Sequence, residues 1–204
     1  MGIHFLPAFI ILLMSAGVIQ PEKKALFNGV SLEGWEIIDW EGHGKILVRD
    51  SCLVIEKGLG ITGITLKDEF PKVNYELSLQ AKRVDGEDFF CGITFPVNNE
   101  FVTLVIGGWG GSITGLSCID GEDAANNITY DFRKFENNKW YNVRLNVTEE
   151  KIEAWIDESK IIEFKIGDSL LSLRWEAEWS KPFGLITWQT TGAFRNIKLD
   201  HFGR

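Results

Sequence analysis

Val73-Asn74-Tyr75-Glu76-Leu77-Ser78-Leu79-Gln80-Ala81-Lys82 alternates apolar and polar residues without a break. In an extended chain successive side chains point to opposite faces. One face of this segment therefore carries Val73, Tyr75, Leu77, Leu79 and Ala81, and the other carries Asn74, Glu76, Ser78 and Gln80. That is a half-buried strand. Tyr141-Asn142-Val143-Arg144-Leu145-Asn146-Val147 repeats the pattern. Ile152, Ala154 and Ile156 repeat it again, with Glu153, Trp155 and Asp157 opposite. Glu149-Glu150 joins these two runs as a short hairpin connection, and Asp157-Glu158-Ser159 turns the chain into Lys160–Phe164.

Outward from this centre the sequence predicts strands over 46–48, 52–56, 61–66, 89–95, 101–106, 113–119, 128–132, 183–189 and 193–199. Gly, Asn and Asp separate them. Short strands at such spacing predict an all-β sandwich of two antiparallel sheets, within one domain over residues 25–204. A short helix is expected within 168–179. In a sandwich the inner faces are filled by alternating apolar side chains. The outer face of a curved sheet is then a groove, and function is expected there or in its rim loops.

Lys plus Arg number 21 and Asp plus Glu 29, a net charge of -8. With no long basic run, this excludes nucleic acid and anionic membranes as expected partners. The run Phe5-Leu6-Pro7-Ala8-Phe9-Ile10-Ile11-Leu12-Leu13-Met14, closed by Ser15-Ala16-Gly17, reads as a signal peptide over residues 1–17. The protein is then secreted or periplasmic. The alternative is a membrane anchor made by the uncleaved leader. Cys52, Cys91 and Cys118 are an odd number of thiols with no C-x-x-C, and read as small buried hydrophobes. His43 and His201 are too few for a clustered His/Cys zinc site.

Gly107-Gly108-Trp109-Gly110-Gly111-Ser112 is the most distinctive local feature. Its backbone can approach a ligand closely, with an indole plate in the middle for the apolar face of a sugar. The other reading is a β-bulge with Trp109 packed inward. Trp175, Trp179 and Trp188 are candidates for the groove or its rim, and Trp35 and Trp140 for the core. Asp120, Glu122 and Asp123, with Asn126 and Asn127, offer hard oxygen ligands that suit calcium, or else form a solvated turn. No other cofactor is expected.

Ala25-Leu26-Phe27-Asn28-Gly29-Val30-Ser31-Leu32-Glu33-Gly34-Trp35 resembles the opening "LFNGxxLxGW" of the 3-keto-disaccharide hydrolase-like domain family. The closing Gly184–Leu199 segment, with Phe194-Arg195-Asn196-Ile197, is similar to that family's "FRNI" end, and Tyr75–Leu79 fits its "FELxLEF" strand. Between these, Phe90-Cys91-Gly92, Glu100–Thr103 and Asn138–Tyr141 stand where members often carry Asn-Ser-Gly, "YE-x-Q" and "GEWN". The resemblance implies a concanavalin A-like jelly roll that acts on glycosides, including sugars oxidised at C3. The opening motif has a structural reading of its own. Asn28-Gly29 makes a turn, and Phe27, Leu32 and Trp35 staple the segment to a sheet.

A 3-keto group acidifies the proton at C2, so the glycosidic bond can break by elimination followed by water addition. That chemistry needs a general base near C2 and a polarising group near the carbonyl oxygen. The carboxylates at predicted polar faces, strand starts and turns are Glu76, Asp88, Glu100 and Asp120. Arg133 and Arg195 are the candidate polarisers. Trp109 with Gly108 and Gly110, and Trp188 with Gln189, are the candidate sugar contacts. Three readings stay open: a hydrolase of 3-keto-glycosides or a related sugar bond, a non-catalytic glycan-binding module, and a cell-surface interaction domain.

Overall fold

The computed structural model describes residues 23–202. The leader over 1–17 lies outside the described residues. Fifteen strands follow in chain order: β1 (Lys24–Ala25), β2 (Trp35–Ile37), β3 (Ile46–Arg49), β4 (Cys52–Ile55), β5 (Ile61–Leu66), β6 (Tyr75–Asp85), β7 (Cys91–Val97) and β8 (Glu100–Gly108). Then come β9 (Ile113–Ser117), β10 (Asp131–Phe132), β11 (Tyr141–Val147), β12 (Lys151–Ile156), β13 (Ser159–Lys165), β14 (Gly184–Trp188) and β15 (Thr191–His201). They form two antiparallel sheets. The back sheet is ordered β13-β12-β11-β6-β15-β4-β3, with β1 added to β15. The front sheet is ordered β10-β9-β8-β7-β14-β5-β2.

The alternation of the central strand sets the core. Leu77 faces Leu145 on one side and Leu199 on the other, and Leu145 in turn faces Ala154. Tyr75, Leu77, Leu79 and Ala81 are all buried, and they pack against Ile93, Phe95, Leu104, Ile106 and Leu185 of the front sheet. Each leucine, isoleucine and phenylalanine of this set contributes roughly 1.5–3 kcal/mol by leaving water. Val73 falls outside the strand, because Asn74 takes a left-handed backbone (φ 57) just before it.

The opening segment behaves as its turn chemistry dictates. The Asn28 side-chain oxygen accepts from the Val30 and Ser31 amides at 2.8 and 2.9 Å. The Trp35 indole donates to the Leu26 carbonyl at 2.9 Å. At the other end, β15 carries a bulge between Arg195 and Lys198, with Asn196 at φ 55. That bulge lets both Arg195 and Asn196 donate to Gln80 Oε1, at 2.8 and 3.1 Å.

Three expectations are corrected. The helix within 168–179 is one 3-10 helix, Trp175–Ser180, because the preceding residues pair with the loop after β9: Ser172 with Cys118 and Leu170 with Asp120. The strand expected over 128–132 shrinks to Asp131–Phe132. Asn127 holds a turn instead, accepting from the Thr129 amide at 2.9 Å and donating to the Leu116 carbonyl at 2.7 Å. Trp140 is not in the main core. It lies half-buried on the outer side of the back sheet, with the Arg195 guanidinium 4.1 Å from its ring centroid. All three cysteines are buried and unbridged.

Candidate functional site

The groove lies on the outer face of the front sheet, and strand register explains its floor. Gly63, Ile186, Gly92, Val105 and Gly115 are successive partners across β5, β14, β7, β8 and β9. Ile186 lies across this row because its neighbours lack side chains. A Cβ at Gly63 would sit 2.5 Å from Ile186 Cγ2, and one at Gly92 would sit 2.6 Å from Ile186 Cγ1. The adjacent row reads Thr65, Gly184, Thr94, Thr103 and Ser117, so a line of hydroxyls runs beside the apolar one.

A strap over residues 168–181 roofs part of this floor. Ala177 packs on Ile61 and Ile186. The Ser180 hydroxyl lies 2.7 Å from Thr94 Oγ1 and 2.5 Å from the Ala177 carbonyl. Its single proton cannot serve both. With that proton on the carbonyl, Thr94 donates to Ser180 and Thr103, 3.0 Å from Thr94, donates in turn. The lone pairs of Thr103 are then left for a donor in the groove.

The resulting cavity has a volume of about 230 Å³ and is lined by Asp88, Trp109, Trp188, Arg174, Glu176 and Thr103, among others. Asp88 Oδ1 accepts from the Phe89 amide at 2.7 Å. Its other oxygen has no hydrogen-bond partner among the described residues. Trp109 takes a left-handed backbone (φ 49), flanked by Gly107, Gly110 and Gly111 at positive φ, and is 39% exposed. Arg174 spans Glu176, through Nε at 3.3 Å and Nη2 at 3.1 Å, and Asp123, through Nη1 at 3.3 Å. The Glu176 hydrogen bonds raise the Arg174 guanidinium still further above its ordinary pKa. Trp175 and Trp179 stand on the strap at 79% and 74% exposure.

Of the residues singled out from sequence, Asp88, Trp109 and Trp188 are brought together here, and a Cβ at Gly108 would sit 2.9 Å from Val105 Cγ1 and 3.7 Å from Asp88 Oδ1. Gly110 is at φ +83 with open space beside it. Gln189 adjoins Trp188, but its amide is turned to the Leu59 carbonyl at 2.8 Å. The others lie elsewhere for identifiable reasons. Glu76 is on the back sheet's outer face, paired with Lys23 at 2.6 Å and Arg144 at 3.3 Å. Arg195 shares that face with Gln80 and Trp140. Glu100 and Asp120 anchor the strap by accepting from the Leu171 and Leu170 amides at 2.9 and 2.8 Å. Arg133 faces Asp131 at 3.4 Å beside the end of the glycine loop.

Of the set Asp120, Glu122 and Asp123, two carboxylates are engaged within the protein. Asp120 Oδ1 is taken by Leu170, and Asp123 by Ala125, Asn126 and Arg174. Among the described residues no three His, Cys, Asp or Glu side chains converge as metal ligands. Arg174, Glu176, Thr103 and Ser117 were not found by sequence reasoning. The hydroxyls sit in strands whose two faces are both covered, and the strap residues gain their place only through tertiary contacts.

Two antiparallel sheets packed face to face, with an outer groove on one of them, define the concanavalin A-like jelly-roll class. Solved structures agree on the fold. A Bacillus subtilis protein with a galectin-like fold matches at TM-score 0.62 and 10% identity, covering 88% of this chain and 98% of its own. The carbohydrate-binding module CBM66 from Bacillus subtilis matches at TM-score 0.57 and 14% identity, covering 82% and 95%. The Crh5 transglycosylase in complex with NAG matches at 0.53 and 12% identity, covering 85% and 84%. Residues 22–200 match the 3-keto-alpha-glucoside-1,2-lyase-like domain, and the chain belongs to that family. A search of curated proteins finds no match.

Proposed function

We propose that the groove binds a glycoside oxidised at C3 and cleaves its glycosidic bond by elimination, with water addition completing hydrolysis. The observation that carries this reading is the convergence of Asp88, Glu176 and Arg174 with the Trp109 and Trp188 indoles in one cavity. Asp88 is the base. One of its oxygens is oriented by the Phe89 amide and the other is free to take the C2 proton. The electron pair passes to the C3 oxygen as an enolate. It then returns to form the C1–C2 double bond as the C1–O bond breaks, and the proton held by Asp88 passes to the leaving oxygen, which departs as an alcohol. The two Arg174 N–H groups not used by Glu176 and Asp123 are the cationic donors available to the developing oxyanion. Thr103 accepts from a sugar hydroxyl. Family membership supports the sugar class.

A second reading, binding without turnover, is favoured by the ties of Arg174 to two carboxylates, which offset much of its charge. The family's glycoside chemistry and the apolar leader together make export our proposal for location. Incubation with 3-keto-trehalose or a 3-keto-glucoside, with released sugar as readout, separates the two. Release that is lost in Asp88→Asn supports the lyase reading. Saturable binding with no release supports the binding reading.

A further inference from the structure

The core-facing row Tyr75, Leu77, Leu79, Ala81 of β6 continues in phase to Arg83, so a guanidinium ends a row of apolar side chains. Arg83 is 7% exposed and crosses from the back sheet to the front one. Its Nη2 donates to the Gly111 carbonyl at 2.6 Å, and its guanidinium carbon lies 5.3 Å from the Phe90 ring centroid. Nε is buried without a partner, and among the described residues no carboxylate lies within ion-pair distance of this side chain. An isolated buried cation is expensive, so its retention calls for a reason.

The reason lies in what surrounds it. A Cβ at Gly107 would sit 2.9 Å from Arg83 Nη2. One at Gly111 would sit 2.9 Å from Nη1 and 3.0 Å from the Glu87 carbonyl. Gly111 is thus held between Arg83 and the turn that carries Asp88, while Gly107 closes the other side. Burial lowers the guanidinium pKa, opposed by Tyr141, Asp88 and Glu87 in that order. The glycine loop follows the shape of one buried side chain, and Trp109 projects from the top of that loop.

We propose that Arg83 is the positioning residue of the site, setting where the Trp109 plate stands relative to Asp88. Only its consequence for ligand affinity rests on the function proposed above. The test uses protein labelled with 5-fluorotryptophan, with Trp109→Phe assigning the Trp109 resonance. In Arg83→Met the Trp109 signal is expected to shift and broaden, and the Gly110 and Gly111 amides to exchange at least tenfold faster. The Trp35 signal should stay in place. Arg83→Lys, which keeps the charge but loses the fork, should restore part of the parent spectrum. An Arg83 of purely structural importance would lower the melting temperature and leave the Trp109 signal of the folded protein unmoved, which overturns the proposal. Should Arg83→Met not fold, unchanged loop exchange in Arg83→Lys overturns it equally. A 3-keto-glucoside titration forms the second arm, with affinity expected to fall about tenfold. A displaced Trp109 with unchanged affinity upholds the positioning role and removes Trp109 from the sugar site.

Discussion

The two outer faces of the sandwich obey the same alternation and end in opposite conditions. On the back sheet, the outward side chains of β6, β11 and β12 include long charged ones that pair with one another. Glu76 holds Lys23 and Arg144, Glu153 holds Lys151 and Lys160, and Arg144 lies 3.7 Å over the Trp155 ring. On the front sheet, outward residues are glycine, isoleucine, valine and short hydroxyls, and beside their cavity one Asp88 oxygen has no hydrogen-bond partner among the described residues. A polar face in sequence marks water. A site is marked where the alternation disappears because something lies on both sides of the sheet.

The contrast can be broken by mutation. The largest expected effect is Asp88→Asn, which should lower turnover of a 3-keto-glucoside by about 10²- to 10⁴-fold with little change in melting temperature. Glu76→Gln, on the other face, should leave turnover unchanged. Equal losses in both variants would erase the distinction. Next is Gly92→Ala. The added methyl meets Ile186 at 2.6 Å, so urea unfolding should report about 1–3 kcal/mol of lost stability. Ser78→Ala, facing out from the back sheet, should stay within about 0.5 kcal/mol.

Trp109→Ala should weaken glycoside binding about tenfold by titration calorimetry, the scale of one lost stacking contact. Trp155→Ala should not weaken it. The smallest effect belongs to pH. Hydrogen bonds from Lys160 and Lys151 lower the Glu153 pKa below its ordinary 4.5. Its stabilisation is complete above the unfolded carboxyl value and is lost as pH falls through the lower folded one. Glu153→Gln should therefore flatten the acid side of the stability curve and leave neutral-pH binding intact.

Most strands were legible because alternation is a local property. Tyr75–Ala81 and Tyr141–Val147 pair in the sheet with the core faces read from sequence. Glu76, on a polar face read from alternation, lies in a solvated ladder of the back sheet, and Arg195 with Asn196 ties the last strand to Gln80. Asp88, Trp109 and Trp188 were legible through strand-end and glycine-loop signals. Arg174 and Glu176 were not, because the strap reaches the groove through Glu100, Asp120 and the Cys118–Ser172 pairing, contacts far apart in sequence. Arg83 carried a signal that went unread: two residues past Ala81, it is in phase with the core row.

The central claim is that the front groove, and not the charged back face, receives the sugar. Indole N–H resonances of the eight tryptophans, followed by NMR while a 3-keto-glucoside is added to Asp88→Asn, test it directly. Saturable shifts at Trp109 and Trp188, with Trp140 and Trp155 unmoved, are the expected result. Shifts confined to Trp140 and Trp155 would contradict it.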